Sequence, residues 1–225
     1  MGADVYEVRL VLPDAAEAAF HAGQYLLLAA REGEFSPFSI ASAPAELPLL
    51  RLHIQARELM PVRLLASLQQ HGVARVQMPQ GNVQVDLAGD ERPLLLIAGG
   101  TGMSQMHSIL EQARHQGCTR PIHLYWGGRE LTDFYRLSAW RQWEQMPNVK
   151  LHKELSGDPG DEERGGTLLY EAVVRDLPDL TGFQVVASGS PAMVYATLDA
   201  LVEHGLQPEQ MQADAFSYAP RESTE

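Results

Sequence analysis

The chain has 225 residues, of which 45% are hydrophobic and 20% charged, the usage of an ordinary folded globular protein rather than a disordered one. A formal net charge of −12 argues against a nucleic-acid partner, which needs a basic field, but leaves room for a small phosphate ligand held by main-chain amides or one or two arginines. Cys118 is the only cysteine, which excludes an internal disulfide framework and any cysteine-ligated zinc or iron-sulfur site within this chain.

No apolar run, Pro93 to Ala98 included, nears the about 20 residues that cross a bilayer, and Met1-Gly2-Ala3-Asp4 carries no signal-peptide pattern. A cytoplasmic protein with no membrane partner is therefore expected. From Val5 to Val85 short β-like runs alternate with turn residues: Val5 to Leu12, Gln24 to Ala30, Phe38 to Ala41, Leu49 to Gln55 and Val73 to Met78. One helix interrupts them, marked by Pro61 near its start and an apolar face through Leu64, Leu65 and Leu68. Several short strands with regular turns predict a small barrel or sandwich.

Beyond Asp90-Glu91-Arg92-Pro93 the rhythm changes to buried apolar runs separated by longer helical stretches, the pattern of repeated βα units around a parallel sheet. The predicted strands are Leu94 to Ala98, Ile122 to Trp126, Val149 to Glu154 and Phe183 to Ser188; the predicted helices are Ser104 to Gln116, Phe134 to Gln145, Thr167 to Arg175 and Pro191 to His204. The acidic, turn-rich segment from Ser156 to Glu163 reads as a surface loop. Two domains follow, residues 1–90 and 91–225.

Three strand-to-helix turns bear glycine. The strand ending at Ala98 runs into Gly99-Gly100-Thr101-Gly102, where main-chain amides can approach a pyrophosphate or an aromatic ring; Gly100 and Gly102 supply the first two glycines of G-x-G-x-x-G, and Gln105 stands in the third place. A tight turn without a ligand explains the same residues. The second turn, Tyr125-Trp126-Gly127-Gly128-Arg129-Glu130, sets an arginine suited to a 2′-phosphate beside an acid suited to a ribose hydroxyl, so NADH and NADPH stay open, as does a plain surface arginine. The third, Ser188-Gly189-Ser190-Pro191-Ala192-Met193, places Ser190 at an N-cap and Pro191 at the first helical position. Phe35-Ser36-Pro37-Phe38-Ser39-Ile40-Ala41-Ser42 puts an aromatic and small hydroxyls on a strand, which packing alone also explains. Cys118 lacks an activating neighbour, His107 and His115 lack a third ligand so that no metal site is expected, and no nucleophile-elbow motif occurs.

Taken in order, His21-Ala22-Gly23-Gln24-Tyr25-Leu26, Pro37-Phe38-Ser39-Ile40-Ala41-Ser42, Leu52-His53-Ile54, Leu96-Ile97-Ala98-Gly99-Gly100-Thr101-Gly102, Tyr125-Trp126-Gly127-Gly128-Arg129 and Asp214-Ala215-Phe216 span nearly the whole chain. This ordered set resembles the ferredoxin-NADP reductase superfamily, in its bacterial NAD(P)H-flavin reductase branch. The resemblance implies an N-terminal antiparallel flavin-binding β-barrel followed by a C-terminal Rossmann-like parallel α/β domain for the nicotinamide nucleotide. It implies that Phe38, Ser39 and Ile40 line the flavin ring with the Ser39 hydroxyl near N5, and that His53 and Ile54 lie on the adjoining strand. Thr101 is expected at the domain interface. Gly99, Gly100 and Gly102 would form the nucleotide floor, Ser188, Gly189, Ser190, Pro191 and Met193 the turn beside the nicotinamide, and Gly128 and Arg129 the second nucleotide turn. Phe216 and Tyr218 match aromatics that close near the flavin.

This chain departs from the pattern twice. Ser36 stands where the family places an arginine that contacts the flavin side chain or phosphate, and relatives carry a strand ahead of Val5 to Leu12, so an open barrel edge is expected. A serine offers one neutral donor where arginine offers several charged ones, which implies riboflavin, FMN or FAD held weakly, as a dissociable substrate. The expected reaction is hydride transfer from C4 of NADH or NADPH to flavin N5, with electrons leaving on free flavin. Two alternatives stand beside it: a reductase subunit that keeps its flavin and serves an oxygenase or ferredoxin-like acceptor, and a non-catalytic nucleotide- or partner-binding module on the same fold.

Overall fold

The computed structural model describes residues 4–13, 18–30, 35–155 and 168–221. Its first part contains β1 (Val5–Val11), β2 (Tyr25–Ala29), β3 (Ser36–Ser39), β4 (Leu49–Gln55), the helix α1 (Leu59–His71) and β5 (Arg75–Gln80). These strands make two antiparallel sheets, β1-β4 and β3-β2-β5, bridged where Ile40 meets Leu52. Alternation along the strands turns Leu26 and Leu28 of β2 and Leu50, Leu52 and Ile54 of β4 into one barrel core, which Leu64 of α1 joins. β3 is an edge strand, and there the missing amide of Pro37, opposite Leu27, costs no ladder bond. Among the described residues β1 has β4 on one side and no partner strand on the other.

The second part alternates β6 (Leu94–Gly99), α2 (Met103–Gln116), β7 (Ile122–Gly128), α3 (Trp140–Trp143), β8 (Val149–Leu155), α4 (Leu169–Asp176), β9 (Gln184–Ser188), α5 (Pro191–Glu203), β10 (Met211–Gln212) and α6 (Ala215–Tyr218). The strands form one parallel sheet in the order β10-β9-β6-β7-β8. The period of two splits its central strand: Leu94, Leu96 and Ala98 pack on the α2 side, and Leu95 and Ile97 pack on the α4 and α5 side. Both faces are covered, which is why the β6 run is apolar throughout instead of alternating.

Helix α2 is buried nearly all round. Met103, Met106, Ile109, Leu110 and Ala113 face the sheet, whereas Ser104, Gln105, His107, Ser108 and Glu111 are also buried, on the polar side. That side meets the barrel's main chain. His107 Nδ1 lies 2.7 Å from the Ala41 carbonyl, Ser108 Oγ donates to the Ser42 carbonyl at 2.7 Å, Gln105 Nε2 donates to the Gly23 carbonyl, and Gln112 Oε1 accepts from the Ala45 amide at 3.2 Å. The row of bonds docks barrel and sheet against one helix and leaves a cleft at the carboxyl end of β6.

Several elements differ from expectation. The strand expected at Val73 to Met78 is Arg75–Gln80, and that expected at Phe38 to Ala41 is Ser36–Ser39. The helix expected from Phe134 to Gln145 shrinks to Trp140–Trp143. Its apolar spacing instead builds an aromatic cluster in which Phe134, Tyr135 and Trp140 surround Trp126 at ring distances of 5.0 to 5.9 Å. Phe134, with φ −81° and ψ 76°, leaves helical conformation at the start of that stretch. The expected loop from Ser156 to Glu163 and the start of the helix at Thr167 lie outside the described residues. β10 and α6 were not anticipated: two residues of strand and one turn of helix carry too short a period to read.

The α2 interface sets a pH dependence. Burial drives the His107 imidazole from its ordinary 6.5 down to about 4; Glu111, the Ala41 carbonyl and Glu7 pull it up and Arg51 pushes it down, with His53 edge-on to it. An unfolded chain takes up the proton near 6.5 and the folded one only near 4, so between these values the unfolded state binds more protons. Stability is full above the upper value and falls as pH drops through the window. Urea unfolding midpoints should decline across it, and His107→Gln should flatten the decline; equal slopes in the two proteins would assign it to other groups.

Candidate functional site

The carboxyl ends of β6, β7 and β9 face β3 and β4 of the barrel across a trough made of three connected hollows. The central one, 500 Å³, is walled by Phe38, Ser39 and His53 on the barrel side and by Thr101, Gly102 and Ser188 on the other. A second, 320 Å³, continues over the sheet edge past Gly100, Gly128, Arg129 and Met193. A third, 460 Å³, runs from Phe38 and Ser39 toward Tyr25, Asp214 and Tyr218.

The glycine turns interlock. A Cβ on Gly99 would lie 2.7 Å from Met193 Sδ, one on Gly189 2.7 Å from Met193 Cε, and one on Gly102 2.2 Å from the Ser188 carbonyl oxygen. Gly100 takes φ +52°, the left-handed region that a side chain disfavours, and Trp126 Nε1 holds its carbonyl at 2.9 Å. Ser190 caps α5 by accepting from the Met193 amide at 3.3 Å, and Pro191 occupies the first helical turn. These turns thus present bare main chain to the trough, the surface an anionic, flat ligand needs.

Charge is placed along one rim. Asp133 accepts from the Arg129 and Glu130 amides at 2.9 and 3.2 Å and pairs with Arg57 at 3.0 Å. Burial pushes this carboxyl up, but the Glu130 amide, Arg57 and the Arg129 amide outweigh it, and the group ends below its ordinary range. Arg57 borders both the central hollow and the sheet-edge hollow. On the opposite side Asp214 accepts from Gln105 Nε2 at 2.9 Å, and burial holds its carboxyl above the ordinary range.

His53 sits on β4 at the wall of the central hollow, 5% exposed. Its Nδ1 is 3.1 Å from Tyr135 Oη, while Nε2 is buried with no hydrogen-bond partner. Burial, with His107 and Arg51 nearby, holds the ring well below the usual imidazole range.

Most residues singled out in the sequence meet in this trough: Pro37, Phe38, Ser39, His53, Gly99, Gly100, Thr101, Gly102, Gly128, Arg129, Ser188, Gly189, Ser190, Met193 and Tyr218. Others do not. Ile40 and Ile54 are fully buried in the barrel core; on β4 the strand period turns Ile54 to the opposite face from His53, and Ile40 lies past the end of β3, bridged to Leu52. Phe216 packs on Tyr195 at 5.4 Å and on the sheet's second core, while Tyr218 alone reaches the trough. Ser36 lies in a separate 710 Å³ groove beside α1, where its hydroxyl meets Met60 Sδ at 3.3 Å and Arg63 shares the wall. Arg57 lies in the trough, away from that groove. Sequence reasoning missed Asp214, Trp126 and Arg63 as candidates; the Asp-Ala-Phe and Tyr-Trp-Gly-Gly-Arg motifs pointed to the first two, and nothing local pointed to Arg63. Among the described residues Glu46, Glu111 and His115 converge, but Glu46 pairs with Arg51 and Glu111 with Arg114 and Trp143.

Residues 96–199 match the family described as the oxidoreductase NAD-binding domain. Over 219 residues the chain is 32% identical to an NAD(P)H-flavin reductase of Vibrio harveyi, covering 93% of this chain and 92% of that protein. It is 31% identical over 219 residues to the CDP-6-deoxy-L-threo-D-glycero-4-hexulose-3-dehydrase reductase of Yersinia pestis, covering 96% of this chain and 65% of the relative. Among solved structures, the Amycolatopsis cytochrome P450 reductase aligns with a TM-score of 0.79 at 28% identity, over 95% of this chain and 65% of that one. The chain therefore spans just under two thirds of the Yersinia and Amycolatopsis proteins and nearly all of the Vibrio one.

The two glycines of the first turn differ in what they exclude. A methyl on Gly100 meets nothing within 4 Å, so Gly100→Ala carries only the left-handed backbone cost, about 1 kcal/mol. A methyl on Gly102 meets main-chain atoms that cannot rotate away, so Gly102→Ala should cost about 1 to 3 kcal/mol or more. Urea unfolding of both variants checks the ranking; equal losses would mean that the β6 and β9 turns are not in contact.

Proposed function

Because the chain belongs to the ferredoxin-NADP reductase superfamily, in the branch of the bacterial NAD(P)H-flavin reductases, we propose that it is an NAD(P)H-dependent flavin oxidoreductase. Residues 1–90 form the flavin side in this reading and residues 91–225 the nicotinamide-nucleotide side. The observation that carries it is the trough itself: an aromatic ring, a hydroxyl and a buried imidazole on the barrel wall stand across from three glycine turns. Those walls fit a flat ring with polar edges on one side and a nucleotide on the other.

The flavin, when bound, supplies the electron chemistry by accepting a hydride from nicotinamide C4 at its N5. The protein's contribution is placement. Phe38 offers a face for stacking and the Ser39 hydroxyl a hydrogen bond to the ring edge. Thr101, borne by the turn after β6, lies at the seam where the two ligands would meet. Gly99, Gly100, Gly102, Gly189 and Met193 shape the nucleotide floor, and Gly128 with Arg129 extends it toward the adenosine end, where Arg129 suits a 2′-phosphate or a ribose. Closing barrel and sheet over the trough excludes water and fixes the rings, the chief gain available to a transfer that needs no acid or base of its own.

Electrons then leave on free reduced flavin or pass to an acceptor. The names of the Yersinia and Amycolatopsis relatives, reductases serving a dehydrase and a cytochrome P450, support a protein acceptor of oxygenase or ferredoxin type as the second reading. We place the protein in the cytoplasm with its nucleotide substrate; none of the described helices is long and apolar enough to cross a membrane.

The test is oxidation of NADH and NADPH with riboflavin, FMN and FAD supplied in turn. Turnover that needs added flavin, from a colourless protein, is the expected result; a preparation that stays yellow after dialysis favours the subunit that keeps its flavin, and no turnover with any flavin contradicts the proposal. Ser36→Arg should tighten FMN about ten- to a hundredfold and riboflavin much less, the worth of one charge-assisted contact. Arg63→Ala should weaken FMN more than riboflavin, since Arg63 is the cation on the wall of the Ser36 groove. Equal effects on the two flavins would remove the phosphate from that groove.

A further inference from the structure

The central hollow and the sheet-edge hollow meet at a seam. Among the described residues five line both, Gln55, Arg57, Gly99, Thr101 and Ser190, and of these Arg57 alone carries a charge. A dinucleotide with its nicotinamide in the central hollow and its adenosine over the sheet edge must pass its diphosphate across this seam. Of the other charged side chains, Glu58 borders the central hollow, and Arg129 and Asp133 border the sheet-edge one. Arg57 follows β4 in the barrel, and its guanidinium reaches across to the α/β part. Its Nη2 donates to Asp133 Oδ1 at 3.0 Å, while its Nε lies 3.7 Å from Asp4 Oδ2.

The pair with Asp133 can be given up at little cost. The Arg57 side chain is 48% exposed, and ion pairs open to water stabilise little. Its departure does not strand the partner, because Asp133 Oδ2 keeps the Arg129 and Glu130 amides at 2.9 and 3.2 Å. Nor does it undock the barrel, which Gln105, His107 and Ser108 of α2 hold by buried hydrogen bonds of their own. A diphosphate offers more negative charge and more acceptor oxygens than one carboxylate, and the planar fork of a guanidinium can bond two of those oxygens at once. We propose that Arg57 is a binding residue that exchanges Asp133 for the diphosphate of the nicotinamide dinucleotide. Asp133 then has two parts: it shapes the second nucleotide turn through its amides, and it holds the guanidinium at the seam until the ligand displaces it. The inference rests on the nucleotide reading of the trough.

The test measures ADP-ribose binding to the intact protein by calorimetry and follows the same titration by proton-nitrogen NMR. Arg57→Ala should weaken ADP-ribose on the order of tenfold or more, and AMP, which lacks the second phosphate, much less. Asp133→Asn removes the competing charge. It should tighten ADP-ribose when Arg57 is present and give no such gain in the Arg57→Ala background, a comparison that cancels any change in the turn itself. FAD brings a diphosphate of its own, so FAD and riboflavin are measured beside ADP-ribose and should respond alike to Arg57→Ala. Equal losses for ADP-ribose and AMP, or an Asp133→Asn effect that is the same with and without Arg57, overturn the proposal. A loss confined to FAD assigns Arg57 to the flavin's diphosphate and overturns it as well. ADP-ribose that leaves the amides of Gly99 to Gly102 and of Gly128 unmoved overturns the nucleotide reading itself, and the proposal falls with it.

Discussion

Four side chains of one helix, Gln105, His107, Ser108 and Gln112, hydrogen-bond to main-chain groups of the barrel at Gly23, Ala41, Ser42 and Ala45. The same helix presses its apolar face on the parallel sheet. A barrel and a sheet that shared only an apolar contact could slide, because hydrophobic burial is not directional. Directed bonds do not allow that, and breaking any of the three buried ones, to the carbonyls of Gly23, Ala41 and Ser42, leaves a buried group unsatisfied. The position of β3 and β4 over the glycine turns follows from this row, and so does the trough.

Gln105 shows how local the consequences are. It stands where a dinucleotide-binding turn of the commonest pattern carries its third glycine, a residue that permits close packing of helix on strand. Here the position faces the barrel instead, and its amide bonds both the Gly23 carbonyl and Asp214. The departure from the fingerprint is thus a docking device. Asp214 in turn ties the C-terminal turn α6 to the same helix, which brings Tyr218 to the mouth of the third hollow.

What could be read from residues alone was what repeats. The unbroken apolar run of β6, the glycines that follow it, and the Ser190-Pro191 start of α5 announce themselves, because a strand buried on both faces and a capped helix each leave a local pattern. The helix expected at Phe134 to Gln145 failed for the converse reason: aromatics at helical spacing were serving a cluster around Trp126, and spacing does not say which neighbour a ring will meet. Ile40 and Ile54 were placed on the flavin side by likeness to a motif, yet both side chains are buried in the barrel core. The partnership of His53 with Tyr135 joins residues 82 positions apart, and that of Ser36 with Arg63 depends on how α1 lies against β3; neither has a sequence signature.

The account turns on one placement, a flavin ring against Phe38 and Ser39 with the nicotinamide between it and the turn at Gly99 to Gly102. A crystal structure of the protein with riboflavin and NAD⁺ measures this directly. The account predicts the isoalloxazine ring in the central hollow, against Phe38 and within hydrogen-bonding reach of Ser39, and the nucleotide along Gly100, Gly128 and Met193. Flavin bound only in the groove beside α1, or a nucleotide seated away from the glycine turns, would contradict it.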